Sequence, residues 1–143
     1  MKNTALIDTN VIIDWVQRRQ PFSHDATQII DLCMSKKIRG YLTAHTVLNV
    51  FYITRKTLTV EERRDLSRLL CNRFDIIGID RTQILDTMDA DKFKDLEDGL
   101  QMQCAEEMHL DYIITRDIKD FQPSKVKAIQ PQDFLAIMRS DTF

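Results

Sequence analysis

Apolar residues along this chain fall into short unbroken bursts separated by longer stretches in which they recur every three or four positions. Ala5 to Ile7 and Tyr112-Ile113-Ile114-Thr115 are too short and too uniformly apolar for exposed strands. They read as strands buried on both faces, the pattern of a parallel sheet under helices. Gly40-Tyr41-Leu42-Thr43, the β-prone run Phe74 to Ile79 and Val126 to Ile129 supply three further strands. The three-and-four spacing predicts helices between them. One starts at Val11 behind a Thr9 or Asn10 cap and ends before Pro21, and one runs from a Ser23 cap to about Lys36 with Ala26, Ile29, Ile30 and Cys33 inward. Thr46 to Lys56 places Val47, Val50, Phe51 and Thr54 on one face. Thr59-Val60-Glu61-Glu62 is a capping box opening a helix to about Asn72, with Leu66, Leu69 and Leu70 as its inner face. Asp80 with Gln83 opens another, carrying Ile84, Leu85 and Met88. Asp95 caps one reaching about Met108, with Leu96, Leu100, Cys104 and Met108 four apart. Pro131 starts a closing helix through Ile137 and Met138. Strands alternate with helices throughout, so the predicted class is α/β with a mostly parallel sheet.

Composition narrows the picture without changing it. A chain of 143 residues is expected to form one domain, spanning 1–143, and at that size buries roughly 68–70% of its unfolded surface, enough for a core without metal or disulfide staples. No apolar run approaches the ~18 residues a membrane span needs, and no basic-then-apolar leader opens the chain, so a cytoplasmic protein with no membrane partner is expected. Cys33, Cys71 and Cys104 are odd in number, scattered and set in apolar sequence, which suits reduced core thiols. His24, His45 and His109 show no metal-ligand spacing. Net charge is −2, from 20 Lys and Arg against 22 Asp and Glu. Any nucleic-acid contact must therefore use local basic clusters rather than a global field.

Three carboxylates carry the candidate chemistry. Asp8 lies just past the first strand and Asp117 just past the strand at 112–115, at the edge where open α/β sheets bind ligands. If those strands are neighbours, both carboxylates face one crevice. Asp98 reaches the same edge from the first turn of the helix capped by Asp95, where backbone N–H groups and the helix dipole favour an ionised carboxylate. Converging carboxylates repel unless a cation or proton separates them. A shared cluster thus predicts a bound hard cation, Mg²⁺ or Mn²⁺, and such ions polarise phosphodiesters and activate water.

Leu6-Ile7-Asp8-Thr9-Asn10-Val11-Ile12-Ile13-Asp14, the helix start Leu96-Glu97-Asp98, and Tyr112-Ile113-Ile114-Thr115-Arg116-Asp117-Ile118-Lys119-Asp120-Phe121 together resemble the PIN-domain ribonucleases. These include the VapC-type toxins of bacterial toxin–antitoxin pairs. The resemblance covers essentially the whole chain in motif order and length. It implies a three-layer α/β/α sandwich that cuts RNA with Mg²⁺ or Mn²⁺. By matching position Asp8 and Asp98 become principal metal ligands, Asp117 completes the acidic cluster, and Asp120 is an outer carboxylate or a ligand of a second metal. Thr9, Asn10 and Thr115 orient the cluster, while Asp14 is read first as helix polarity. Basic residues at the crevice rim would meet substrate phosphates, with Arg55, Lys56, Arg116 and Lys119 as candidates, although Arg55 and Lys56 equally suit a helix C-terminus. The resemblance further implies a homodimer and a small antitoxin partner.

One position departs from the pattern. Many active relatives carry a Glu on the helix after the second strand, where this chain has Asn49. At an effective dielectric of about 20, one charge ~4 Å from another is worth roughly 4 kcal/mol before compensation. Its loss is expected to weaken metal binding and to favour Mn²⁺. Two other readings stay open on the sequence: a PIN-like module that binds RNA or protein after losing catalysis, and a small phosphatase or phospho-accepting domain. The last fits least, because haloacid-type phosphatases want a second Asp where Asn10 stands, and Lys119 is a poor receiver lysine.

Overall fold

Successive side chains of a strand face opposite sides of its sheet, and that alternation sets the layers here. The computed structural model describes residues 3–140. It contains the strands β1 (Thr4–Ile7), β2 (Arg39–Thr43), β3 (Asp75–Ile77), β4 (Tyr112–Ile114) and β5 (Lys127–Ile129). They form one sheet in the order β3-β2-β1-β4-β5, and every neighbouring pair is parallel. Seven α-helices accompany it among the described residues: α1 (Thr9–Val16), α2 (Ser23–Met34), α3 (Ala44–Ile53), α4 (Val60–Arg73), α5 (Arg81–Ala90), α6 (Leu96–Glu107) and α7 (Pro131–Ser140). Ala5, Ile7, Leu42, Tyr112 and Ile114 pack on one face against Val11, Ile12 and Ile13 of α1, Ile29 and Ile30 of α2, and Phe134 of α7. Leu6, Tyr41, Ile77 and Ile113 pack on the other against Met102, Cys104 and Ala105 of α6. The result is a three-layer α/β/α sandwich, with both faces of the central strands buried as their apolar runs require.

The predicted strands and helices all form, but several details differ. Helix α1 begins two residues earlier than expected, with Asp8 in the cap position and no side-chain cap bond, because the Asp8 carboxylate is committed elsewhere. Ser23 does not cap α2; it lies inside the helix, and its hydroxyl accepts from Gln20. Helix α3 starts at Ala44, capped by the Thr43 hydroxyl, which accepts from the Thr46 N–H at 3.1 Å. The capping boxes at Thr59–Glu62 and Asp80–Gln83 both form. Leu69 on α4 and Ile84, Leu85 and Met88 on α5 are exposed rather than inward, and so are Leu96 and Met108 at the ends of α6. Helix α5 packs chiefly on α6, which leaves much of its apolar spacing outside the core. Cys33 and Cys104 are buried free thiols; Cys71 is free but exposed, contrary to its apolar sequence surroundings. No helix among the described residues is long and apolar enough to cross a membrane.

Gly40 in β2 owes its identity to a close approach. A Cβ there would sit 2.7 Å from Cys33 Sγ and 2.8 Å from the Phe74 ring, both buried. Forcing a methyl into such a site costs about 1–3 kcal/mol. Gly40→Ala should lower the unfolding free energy by that amount, seen as a lower urea midpoint with an unchanged denaturant slope, and an unchanged midpoint would show that the helix layer yields at no cost.

Candidate active site

The chain order reverses at β1, which has β2 on one side and β4 on the other. Open parallel sheets leave a crevice at such a point, outside the carboxyl ends of the strands. Asp8 directly follows β1 and is tied to β4 by its N–H, which donates to Ile114 O at 3.0 Å. Only 3% of the residue is exposed. Gln101 Nε2 donates to Asp8 Oδ1 at 3.0 Å and Thr115 Oγ1 donates to Oδ2 at 2.8 Å. Burial pushes the Asp8 carboxyl above its ordinary range; these two hydrogen bonds oppose the shift, and the charges of Asp117 and Glu97 add to it. Gln101 has its other amide atom, Oε1, buried without a partner. Its amide is therefore held for Asp8 alone.

Helix α6 brings its first turn to the same crevice. Asp95 caps it, with Oδ1 accepting from the N–H groups of Glu97 at 2.9 Å and Asp98 at 3.3 Å. Asp98 was expected to be held ionised by this helix start. Instead burial, followed by the charges of Asp8, Asp95, Asp120 and Glu97, pushes its carboxyl up to about 7. Burial first, and then the neighbouring carboxylates, outweigh the helix dipole, and Asp95 already takes the terminal amides. Asp117 closes the crevice from the β4 side. Its Oδ2 accepts from Asn10 Nδ2 at 3.1 Å, and its N–H donates to Thr115 Oγ1 at 3.0 Å. Thr115 thus bridges Asp8 and Asp117, and Asn10 fixes the latter. Thr9 points to Thr46 (2.8 Å) and to Glu97 Oε1 (2.6 Å).

The crevice holds about 580 Å³ and is lined by Asp8, Thr9, Asn10, Asn49, Glu97, Asp98, Asp117 and Asp120, with Lys92, Lys94 and Lys119 also on its wall. Of the four basic candidates, Lys119 belongs to this lining. Arg55 lies over the Tyr52 ring at 3.9 Å and donates to Tyr52 O; neither it nor Lys56 lines the crevice. Arg116 is turned away and paired with Asp14, donating through Nε to Oδ2 at 2.8 Å and through Nη2 to Oδ1 at 3.3 Å. The Asp14 side chain is 2% exposed, so it is a buried ion-pair partner, beyond the helix polarity expected of it.

Four lining or supporting residues escaped the sequence reading. Gln101 follows Glu97 and Asp98 by four and three positions, so one helical face carries all three; that spacing was the available signal. Glu97 was passed over beside Asp98, although adjacent acids in a first helical turn both lie near its amides. Lys92 and Lys94 sit in the charged segment between α5 and α6, where no apolar periodicity points to a site.

Apart from the lysines, the polar side chains lining the crevice offer a metal oxygen from carboxylates, hydroxyls and amides, the set that suits hard divalent cations over zinc or copper. Among the described residues no three His, Cys, Asp or Glu side chains are arranged to hold one ion directly. Mg²⁺ characteristically keeps several waters and takes one or two carboxylates. The residues present fit a hydrated hard cation of that kind.

A model of the PIN domain family matches residues 4–119. Ribonuclease VapC1 of Aquifex aeolicus is 25% identical over 136 residues, covering 91% of this chain and 92% of that protein. Two solved structures share the fold. A toxin–antitoxin complex from Klebsiella pneumoniae superposes with a TM-score of 0.66 at 23% identity, over 89% of this chain and 97% of that one. VapBC-1 from nontypeable Haemophilus influenzae gives 0.67 at 16% identity, over 90% and 98%.

Proposed function

Since this chain belongs to the PIN domain family, we propose that it is a divalent-metal-dependent endoribonuclease, acting as the toxin of a toxin–antitoxin pair. The observation that carries the reading is the set of carboxylates on one crevice at the β1–β4 edge: Asp8, Asp98, Asp117 and Asp120, joined by Glu97. Burying such a group of like charges destabilises the fold unless something positive offsets it. The name of the Aquifex relative supports RNA as substrate, and the two complexes support a small protein partner.

In this reading Asp8, Asp98 and Asp117 would hold a hydrated cation, Mg²⁺ or Mn²⁺, one or two of them directly and the rest through its waters, and Asp120 serves at the rim or a second ion. When bound, the cation supplies Lewis-acid polarisation of the phosphodiester and an acidified water at neutral pH. Gln101 and Thr115 keep the Asp8 oxygens fixed, Asn10 orients Asp117, and Lys92, Lys94 and Lys119 draw substrate phosphates to the wall. Among the described residues lining the crevice there is no Ser–His or Cys–His pair, which supports water as the nucleophile.

The test is cleavage of a single-stranded RNA by the purified protein with Mg²⁺ or Mn²⁺. Expected is metal-dependent cutting, abolished by chelation and restored on adding the ion back, with fragments free of 2′,3′-cyclic phosphate because water displaces the 2′-hydroxyl as nucleophile. Cutting that survives chelation, or cyclic-phosphate ends, would overturn it. RNA binding without cutting under any divalent ion would favour the catalytically silent binding module.

A further inference from the structure

Helix α3 presents a neutral amide to the crevice, and the negative charge on that side comes from α6 instead. Glu97 is the carboxylate on which the neighbouring elements converge. Thr9 Oγ1 of α1 donates to its Oε1 at 2.6 Å, and Asn49 Nδ2 of α3 donates to its Oε2 at 3.3 Å. His45 Nε2, one turn earlier on α3, stands 3.5 Å from the same Oε2. Thr9 is itself fixed by Thr46, whose hydroxyl also meets Thr43. Both oxygens of Glu97 are thus oriented by side chains from two other elements, with the side chain 25% exposed and lining the crevice.

An acid placed for packing alone has no reason to sit among Asp8, Asp98 and Asp117, whose charges it opposes. We propose that Glu97 is a charge-bearing member of the cation site and that Asn49 is its positioning residue. Asn49 holds the carboxylate by a hydrogen bond instead of supplying one. The inference rests on the nuclease reading above and deepens it: the fourth charge is present, carried by α6. An acid introduced at position 49 would face the Glu97 carboxylate across a hydrogen-bond distance and repel it, unless Glu97 were neutralised as well.

The experiment is Mn²⁺ binding to the full chain by calorimetry, with the melting temperature of each metal-free variant as a fold control. Glu97→Gln keeps an acceptor for Thr9 and should bind Mn²⁺ about tenfold more weakly, which is ~1.4 kcal/mol. Asn49→Glu alone should bind no tighter than the wild type. The double variant Asn49→Glu with Glu97→Gln, which moves the charge from α6 to α3, should recover to within about threefold of the wild type. Unchanged affinity in Glu97→Gln, or a double variant no better than Glu97→Gln, overturns the proposal. If Glu97→Gln fails to fold, Asn49→Ala, which leaves Glu97 in place and removes its hydrogen bond from α3, carries the decision: Mn²⁺ binding weakened about threefold supports the proposal and unchanged affinity overturns it. Asp8→Asn separates the two readings: if the wild type binds no Mn²⁺, or Asp8→Asn binds it equally well, the nuclease reading fails whatever Glu97 does.

Discussion

Asp8→Asn is expected to weaken Mn²⁺ binding and slow RNA cleavage by about 10²–10³-fold while raising the melting temperature of the metal-free protein. Removing a single electrostatic contributor from a preorganised site costs about 10²–10³-fold in rate, ~2.7–4 kcal/mol, and Asp8 is the most deeply buried of the site acids. The gain in stability has a separate cause. Burial and the charges of Asp117 and Glu97 raise the Asp8 carboxyl, so its ionised form opposes folding. An asparagine there relieves that opposition and can keep every hydrogen bond. Its Oδ1 accepts from Thr115, and its Nδ2 donates to Gln101 Oε1, the atom now without a partner, once the Gln101 amide turns over.

Asp98 gives the same effect a pH window. Its carboxyl releases a proton near 3.8 in the unfolded chain and at about 7 in the folded one. Between those values the unfolded state binds fewer protons, so the stability of the metal-free protein falls as pH rises from about 4 to 7 and levels off above. Asp8→Asn removes one of the charges that raise Asp98 and should narrow this decline. Thermal unfolding with and without chelator across that range is the measurement. A variant that melts below the wild type at neutral pH would show that Asp8 serves the fold rather than a ligand.

Arg116→Met is expected to destabilise the protein by about 3 kcal/mol, the lower end of the cost of stranding a buried charge. Its guanidinium makes both hydrogen bonds to Asp14 and lies over the Phe22 ring at 4.1 Å. Asp14 is left with Arg19, 4.0 Å away and on a partly exposed side chain, which offsets part of the loss. Adding Asp14→Asn should recover much of the stability, since both charges then leave together. Urea unfolding of the two single variants and the double closes this cycle. A full-stability Arg116→Met with weakened RNA affinity would instead return Arg116 to the phosphate contacts proposed for it from sequence.

The parts of the molecule that could be read in advance share one property: they depend on neighbours along the chain. Unbroken apolar runs revealed the strands, reciprocal caps at Thr59–Glu62 and Asp80–Gln83 revealed helix starts, and Asp8 and Asp117 were placed by being next to buried strands. What stayed hidden depends on contacts across it. Nothing near Arg116 in sequence says that it pairs with Asp14, 102 positions earlier. The outward apolar face of α5 could not be told from an inward one, because periodicity shows that a face exists and not what covers it. Asn49 looked like a missing charge because its partner, Glu97, lies 48 positions away.

The central place of β1 has a consequence for how the protein is made. Asp8 depends on Gln101 and Thr115, 93 and 107 positions later, and β1 pairs with β4 only after most of the chain exists. At about 5–20 residues per second, a ribosome needs roughly 5–20 s to add that span. Throughout that time the nascent polypeptide carries its first acid with no partners to hold it. A growing chain therefore has no assembled crevice until Thr115 has been added, and truncation before Thr115 releases a fragment that cannot form it.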